Sequence, residues 1–258
     1  MIKGGYYLAK VKPERTILPN VAYSANDVMF DWHRFEIPRG ACAVKSLHVV
    51  HPGKDAAAVA GLDIELLFAT SVNGVAPPTL GSAHDAITVI NATACKNHMI
   101  GHKYLDASVL ENSDLLVGYN VWSQTSGQSV GYDQIDMVIE GDPTYPGTTT
   151  GYQSVWMAVI TIGTADFGTN VLLDGAVTDL TTRAFDVAND ADADDVFAVG
   201  DDLLACANDG SSVQAIGKVV SLTANEITTD GVGFDGALAD DDEISFKAPL
   251  TFNIGLEY

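Results

Sequence analysis

The chain has 258 residues and a formal net charge of −21, from 13 Lys and Arg residues against 34 Asp and Glu residues. This acidity excludes nucleic acid and anionic membrane surfaces as partners, because both are bound through clustered Lys and Arg. With 47% apolar residues the chain can bury the core of one or two domains, which excludes disorder along its whole length.

The first part of the chain predicts an extended arm followed by a β-sandwich. Residues 1–27 are mixed in charge and interrupted by Pro13 and Pro19, and we interpret them as an arm that reaches a neighbouring subunit. Period-two alternation and short apolar runs then predict antiparallel strands as far as residue 165, in a jelly-roll-like sandwich over 28–165. The predicted strands are 29–36, 43–50, 62–71, 86–92, 115–123, 132–140 and 155–162, whereas 97–114 has some helical spacing.

The charge changes sharply after residue 165. Residues 1–165 hold 10 basic and 15 acidic residues, a net of −5, and residues 166–258 hold 3 and 19, a net of −16. This predicts a domain boundary within 163–180. Short apolar runs between acidic or glycine turns, at 196–199, 203–207, 216–222, 226–229 and 243–246, predict a small acidic β-barrel module over 166–248.

The last segment, 249–258, has no acidic cluster and is predicted to return as a strand to the first sheet. The fold class is therefore predicted to be all-β, with an antiparallel β-sandwich that is followed or interrupted by the small acidic β-barrel module.

The three cysteines, Cys42, Cys95 and Cys206, lie far apart, without a CxxC pair or a Cys/His cluster. We expect buried free thiols rather than a zinc site or a disulfide framework. The N-terminal twenty residues lack an apolar core, so we expect no signal peptide. The uncharged run 143–165 contains Pro146, glycines and threonines, which argues against a membrane helix.

One sequence motif suggests a serine nucleophile. Residues 127–131 read GQSVG, which matches the G-x-S-x-G elbow with Ser129 as the nucleophile. That motif needs a strand before it and a helix after it, whereas the predicted strand 132–140 follows here. We therefore interpret the motif as a hairpin turn. A paired-carboxylate glycosidase also stays open, because any two of the 34 acids could meet in the fold.

The histidines do not form a convincing metal motif. His98 and His102 are four residues apart, but the glutamate of H-E-x-x-H is absent and Gly101 disfavours a helix. His33, His48 and His51 are predicted to lie near one another on adjoining strands, with no cysteine to complete a site.

Asp190, Asp192 and Asp194 alternate as D-x-D-x-D, which is the pattern of a calcium loop. The glycine needed at the sixth position is Asp195, and the twelfth position has the short Asp201 in place of glutamate. A solvated acidic loop is the simpler interpretation, and it also applies to 240–243. Overall we predict no catalytic residue, no cofactor and no metal site. The sequon that begins at Asn91 is interpreted as accidental.

Two stretches of the chain resemble structural proteins of tailed bacteriophages. FEIPRGACAVKSLHVVHPG, at 35–53, is similar to an early strand-turn-strand in those proteins. Residues 197–244 resemble their small β-modules, in which a Gly-Asp turn, an Ile-Gly-Lys-Val strand, an Ile-Thr strand and an Ala-Leu-x-Asp-x-Asp turn follow in this order. The resemblance implies a virion component, such as a capsid decoration (cement) protein or a head or tail accessory protein, without catalytic residues.

We therefore expect a non-enzymatic virion protein on the capsid surface, with the major capsid protein or other virion proteins as partners. It would form a homo-oligomer, with a trimer favoured, and would bind neither nucleic acid nor membrane. The sandwich would make the lattice contact and the acidic module would project outward. The arm would assist the contact through its basic residues, which are Lys3, Lys10, Lys12 and Arg15.

Two other functions are carried as alternatives. The first is a carbohydrate-binding or receptor-binding accessory protein of the head or tail. Its aromatic platform would be drawn from Tyr119, Trp122, Tyr152 and Trp156. The second is a hydrolase built on Ser129.

Overall fold

The computed structural model describes residues 4–15, 22–51, 63–105, 111–115, 119–125, 137–165, 171–188, 193–231 and 233–258, with the backbone alone for 111–115 and 119–125. These residues contain sixteen strands and two short helices. The strands are β1 (Tyr6–Val11), β2 (Val28–Pro38), β3 (Cys42–His51), β4 (Ile64–Ala69), β5 (Met99–Leu105), β6 (Glu111–Leu115), β7 (Tyr119–Thr125), β8 (Met137–Ile139), β9 (Tyr152–Thr161), β10 (Val171–Leu172), β11 (Ala184–Asp186), β12 (Asp202–Cys206), β13 (Gln214–Leu222), β14 (Glu226–Thr229), β15 (Glu243–Phe246) and β16 (Thr251–Glu257). The helices are α1 (Val89–Cys95) and α2 (Ala193–Val196).

The predicted all-β, sandwich-like fold is confirmed. The first sheet has the order β1-β16-β3-β7-β6, with β8 also paired to β3, and the second has the order β2-β9-β4-β5. Every strand pair in them is antiparallel. The two sheets share one core, to which the first contributes Phe252 and Ile254 and the second contributes Leu66 and Val155. Alternation explains this core, because every second residue of β16 is buried.

Residues 171–246 form a separate six-stranded antiparallel sheet in the order β10-β15-β12-β13-β14-β11. Its two outer strands are joined by a bridge between Leu173 and Val187. Beside that bridge, the Ala188 amide donates to the Leu172 carbonyl at 2.9 Å. The sheet therefore closes on itself around its own core, which includes Phe185, Phe234 and Ile244. We call this segment the acidic module.

The chain re-enters the first sheet after the acidic module. β16 lies between β1 and β3, pairing with β3 over its whole length and with β1 over 252–257. In the order of the chain, the module therefore stands between β9 of the second sheet and β16 of the first.

Three local predictions are wrong. Residues 86–92 were expected to form a strand, but α1 begins after Thr88, whose Oγ1 accepts a hydrogen bond from the Asn91 amide at 3.1 Å. The helical spacing at 97–114 belongs instead to β5 and β6, because pairing with β4 and β7 decides these segments. The run 196–199 overlaps α2 and the turn that follows it.

Part of the predicted N-terminal arm is a strand. Residues 6–11 form β1, an edge strand of the chain's own first sheet, and the reach of the arm to a neighbouring subunit stays a prediction. The hydrogen bonds of β1 to β16 begin at Gly5, whose amide donates to the Tyr258 carbonyl at 2.8 Å.

The prediction of buried free thiols is confirmed for Cys42, Cys95 and Cys206. Neither α1 nor α2 is long and apolar enough to cross a membrane, and these are the helices of the described residues.

Candidate functional site

A cleft of about 430 Å³ lies where the first sheet meets the acidic module. Seven charged side chains line it, of which Lys10, Lys12 and Glu14 come from the N-terminal segment and Asp201, Asp202, Lys218 and Lys247 come from the module end. We call it the lysine cleft. With four lysines and three carboxylates, its lining has a net charge of +1 in a chain of −21.

Strand geometry places the lysines. Lys10 is on the exposed face of β1, and Lys12 follows the strand two residues later on the same face. Lys218 lies on β13 opposite Asp202, and its backbone amide donates to the Asp230 carboxylate at 2.7 Å. Residues 166–258 hold only three basic residues, and two of these, Lys218 and Lys247, line the cleft. The placement therefore concentrates positive charge at the junction.

Contacts across the cleft tie the two parts of the chain together. The Lys247 Nζ lies 3.1 Å from Glu14 Oε1, and the Lys247 carbonyl accepts from the Arg15 amide at 2.8 Å. Burial raises the pKa of Asp201, although a hydrogen bond from the Ala198 amide and the charge of Lys12 oppose this. Lys10, Lys12 and Lys218 remain exposed to solvent. These three ammonium groups can therefore accept an anionic partner.

A buried polar cluster lies beneath the cleft and is centred on Arg15. Its amide donates to the Lys247 carbonyl at 2.8 Å, and its side chain hydrogen-bonds Tyr23. Only 6% of Arg15 is exposed, so little of its surface is available to a partner, and its predicted contact with a capsid lattice stays a prediction. Burial and the charge of Arg15 lower the pKa of His51 to about 4. Burial and the charge of Glu243 raise the pKa of the Cys206 thiol to about 12.

A second cavity, of about 690 Å³, lies beside β2. β2 has a bulge between Phe30 and His33, and bulges re-aim side chains. At this bulge the Trp32 indole donates to the Pro78 carbonyl at 2.8 Å, and the Asp31 carboxylate accepts from the Leu80 amide at 3.0 Å. This cavity is not predictable from the sequence, because a bulge leaves the alternation imperfect without revealing where the side chains point.

The histidine candidates are not brought together. His98 and His102 have separate partners, since His98 Nδ1 lies 2.9 Å from the Thr70 carbonyl and His102 Nδ1 lies 2.7 Å from Glu65 Oε1. The expectation that His33 lies on a strand adjoining His48 and His51 is wrong, because β2 belongs to the second sheet and β3 to the first. Within the described ranges, no group of three His, Cys, Asp or Glu residues is arranged to hold a metal ion.

The described acidic candidates serve as turn caps. Asp201 Oδ2 accepts from the Ala198 amide at 2.8 Å. Asp242 accepts from the amides of Asn208 and Ala239, at 2.9 and 2.6 Å. Asp194 lies in α2, whereas Asp190 and Asp192 lie outside the described residues. These carboxylates are used locally, as expected for Asp in turns.

The other predicted residues have mixed outcomes. Trp156 is 4% exposed and packs edge-on against Tyr145 at 4.7 Å, so it is not a binding platform. Tyr152 makes an edge contact with Tyr7 at 5.9 Å. Asn91, in the sequon, donates through Nδ2 to the Leu80 carbonyl at 2.8 Å. The remaining predictions fall on Ser129, which lies outside the described residues, and on Tyr119 and Trp122, for which only the backbone is described.

No protein-family model matches the chain, and a search of curated proteins finds no match either.

Proposed function

We propose that this protein is a non-enzymatic structural component of a virion that binds the outer capsid surface as a decoration protein and stabilises the particle. The lysine cleft is the observation that carries the proposal. In a chain of net charge −21, exposed lysines from β1 and β13 converge on one junction. A surface of this kind attracts an acidic segment of a partner and repels the rest of an acidic neighbour.

The two parts of the fold suit two roles. The sandwich presents the lysine cleft at its junction with the module, and it is therefore assigned the contact with the major capsid protein or another virion protein. The acidic module carries most of the charge of −16 found in residues 166–258, and it faces outward in this proposal. Repulsion between modules then keeps decorated particles apart.

The resemblance to tailed-bacteriophage structural proteins supports the same assignment. One of the resembling stretches covers the end of β2 and all of β3. It therefore includes the turn by which the chain passes from the second sheet to the first. The other, 197–244, covers most of the acidic module.

The test uses particles of the virus that encodes the chain, stripped of this protein and then incubated with the purified full-length chain. We expect regular density on the capsid exterior by electron cryomicroscopy. Lys218→Glu should weaken binding by about tenfold, equivalent to about 1.4 kcal/mol, because it reverses an exposed charge in the cleft. Arg183→Glu is the matched control, since it makes the same charge change in the module outside the cleft lining.

Two results would overturn the proposal. One is the absence of regular density on the exterior at saturating protein. The other is an equal loss of binding in the two variants, which would remove the cleft from the contact.

The cavity beside β2 favours one alternative, a carbohydrate-binding accessory protein. It brings a half-buried Trp32 next to His33, Asp31 and Glu14. Burial lowers the pKa of His33, against the charge of Glu14, which favours the neutral form of its ring. An indole face with nearby polar groups suits a sugar ring. Binding to a glycan array that is lost in Trp32→Ala, but kept in a Tyr6→Ala control, would establish this alternative, and a blank array would exclude it.

A further inference from the structure

The first sheet ends at β1, and the outer edge of this strand is open. Among the described residues, β1 pairs only with β16. In the acidic module, by contrast, a bridge between Leu173 and Val187 joins the two outer strands. An uncovered edge is a template for a strand from another chain.

The hydrogen bonds between β1 and β16 show which residues present the open edge. Gly5 and Tyr258 exchange two hydrogen bonds, at 2.8 and 3.1 Å. Because such pairs alternate with non-bonded pairs along antiparallel strands, the amides and carbonyls of Tyr6, Leu8 and Lys10 point away from β16. The edge therefore offers the amides and carbonyls of these residues to a new strand.

The side chains of the same residues lie on the outer face of the first sheet. Tyr6 and Leu8 are 78% and 60% exposed, and Lys10 is exposed as well. The residues between and after them, Ala9 and Val11, are buried in the core. A strand added at this edge follows the same alternation, so one set of its side chains lies beside the exposed residues of β1 and the other set beside the core.

The open edge leads into the lysine cleft. Lys10 is the last outward-pointing residue of β1, and both Lys10 and Lys12 line the cleft. The acidic module contributes Lys218 to the same lining. Glu14, the acidic residue nearest to β1 in the lining, is already paired with Lys247 at 3.1 Å. Exposed ammonium groups therefore lie where the edge enters the cleft.

Charge decides which strand pairs with β1. A second copy of this chain also carries a net charge of −21, and two such copies repel each other. A lysine on an edge strand disfavours an uncharged strand, because its ammonium group must stay hydrated. A strand with carboxylates beside Lys10 and Lys12 instead gains cross-strand ion pairs.

We propose that an extended acidic segment of the virion partner adds to β1 as a further strand of the first sheet. Carboxylates at alternate positions of that segment meet Lys10 and Lys12 in the lysine cleft, and an apolar side chain of the segment lies beside Leu8. Main-chain hydrogen bonds supply affinity in this mode of binding, and the alternate side chains supply specificity. The inference rests on the proposed function, because it states how the lysine cleft holds its partner.

The first test is hydrogen exchange of the full-length chain bound to the stripped particles, followed by mass spectrometry that resolves single amides. The amides of Tyr6, Leu8 and Lys10 should exchange at least about tenfold more slowly on the particle than in the free protein. The amides of Tyr7 and Ala9 face β16 and are the internal control, because they should be protected in both states. Particle binding without slower exchange of the outward amides would overturn the inference and leave the proposed function standing.

The second test separates the backbone of β1 from its side chains. Leu8→Pro removes an amide that points to the open edge, whereas Leu8→Ala shortens the side chain and keeps the amide. Leu8→Pro should bind particles at least about tenfold more weakly than Leu8→Ala. Both variants should keep the circular dichroism spectrum of the unmodified protein, because the Leu8 amide does not pair with β16. Equal binding of the two variants would refute strand addition.

The third test does not use particles. Its probe is a synthetic peptide of about ten residues, in which valine alternates with threonine and glutamate replaces two successive threonines of that alternation. The peptide should bind the full-length chain, as measured by fluorescence anisotropy. Binding should weaken at least about tenfold when glutamine replaces the glutamates, and also in Lys10→Glu. Arg183→Glu makes the same charge change at an exposed position outside the cleft lining and should leave peptide binding unchanged.

The outcomes distinguish this inference from the proposed function. If the chain does not bind particles, but the glutamate peptide binds and slows the outward amides, the strand site stands and the capsid assignment falls. Equal binding of the glutamate and glutamine peptides, or binding of neither, would overturn the inference. A solution mass of twice the chain mass of 27.2 kDa that is lost in Leu8→Pro would assign the edge to a second copy, and it would also overturn the inference.

Discussion

Arg15 shows how far the surroundings of a single residue can depart from its sequence context. It lies two residues after Pro13 in a segment with several charges, so the sequence indicates a solvent-exposed residue. In the structure its amide bonds Lys247 and its side chain bonds Tyr23, at the junction with the module. No local pattern predicts this burial. Tyr23 is close to Arg15 in sequence, but Lys247 is about 230 residues away, and only the complete fold brings the three residues together.

For the same reason, the sequence could predict only part of the lysine cleft. The sequence marks Lys10 and Lys12 as basic residues near the N-terminus. It cannot show that Lys218 and Lys247 join them, because that depends on how the module meets the first sheet.

At this scale we predict that His51 makes stability depend on pH. Its pKa is about 4 in the folded chain and near 6.5 when exposed, so between these values only the unfolded chain binds the proton. The free energy of unfolding should therefore fall as the pH drops from 6.5 to 4, by roughly 3 kcal/mol from this group. Full stability from this source is present above pH 6.5.

Urea unfolding of the unmodified protein and of His51→Gln across this range measures the effect, because the variant should lose this part of the slope while the titration of the carboxylates remains. NMR of the imidazole provides a check that does not depend on how well the variant folds. A ring that titrates near pH 6.5 in the folded protein would refute the prediction.

Secondary structure was predictable from sequence where alternation was strong and where pairing did not compete with local preference. β3 and β9 were placed within a few residues for this reason. The segment that became β5 reads MIGHKYL, and its apolar residues fit helical and extended spacing equally well. The segment is a strand because it pairs with β4, which is too distant in sequence to contribute to a local pattern.

Glycine spacing in the module gives a prediction at the scale of the element. Gly217 on β13 has a φ of +97°, and a Cβ added there would lie 2.5 Å from the backbone nitrogen of Gly231. Gly217→Ala should lower the stability of the module by more than about 1 kcal/mol, because both the backbone conformation and the close approach exclude a side chain. Thermal unfolding monitored by circular dichroism measures the loss.

Gly236→Ala is the control for this variant, since no atom lies within 4 Å of a Cβ placed there and its φ is not positive. An equal change in the two variants would show that the close approach at Gly217 does not matter.

For the whole molecule, the sequence supported the fold class and the change in charge after residue 165. It also suggested the return of residues 249–258 to the first sheet, where β16 is found. The sequence could not predict the order of the strands in each sheet, because strands with the same alternation can pair with any neighbour.

Removal of residues 250–258 should separate the two parts of the fold. The sandwich would lose Leu250, Phe252, Ile254 and Leu256, which are all at most 1% exposed, and β1 and β3 would lose their shared partner. The module keeps its own core and its closing bridge. Limited proteolysis with mass spectrometry should therefore recover a protected fragment close to 171–246.

Removal of Tyr258 alone is the control, because its side chain is half exposed. A truncated chain that resists proteolysis along its whole length would contradict the prediction.

The position of β16 also has a consequence for the order of events during synthesis. β1 precedes the other described strands in the chain, yet its partner β16 is made only after the entire acidic module. Domains generally fold as they emerge from the ribosome, so the module can fold while β1 and β3 still lack the strand between them. Completion of the first sheet then depends on contacts between β16 and the distant strands β1 and β3, and such distant contacts form slowly. The first sheet therefore lacks its shared strand for the whole time that the module takes to be made.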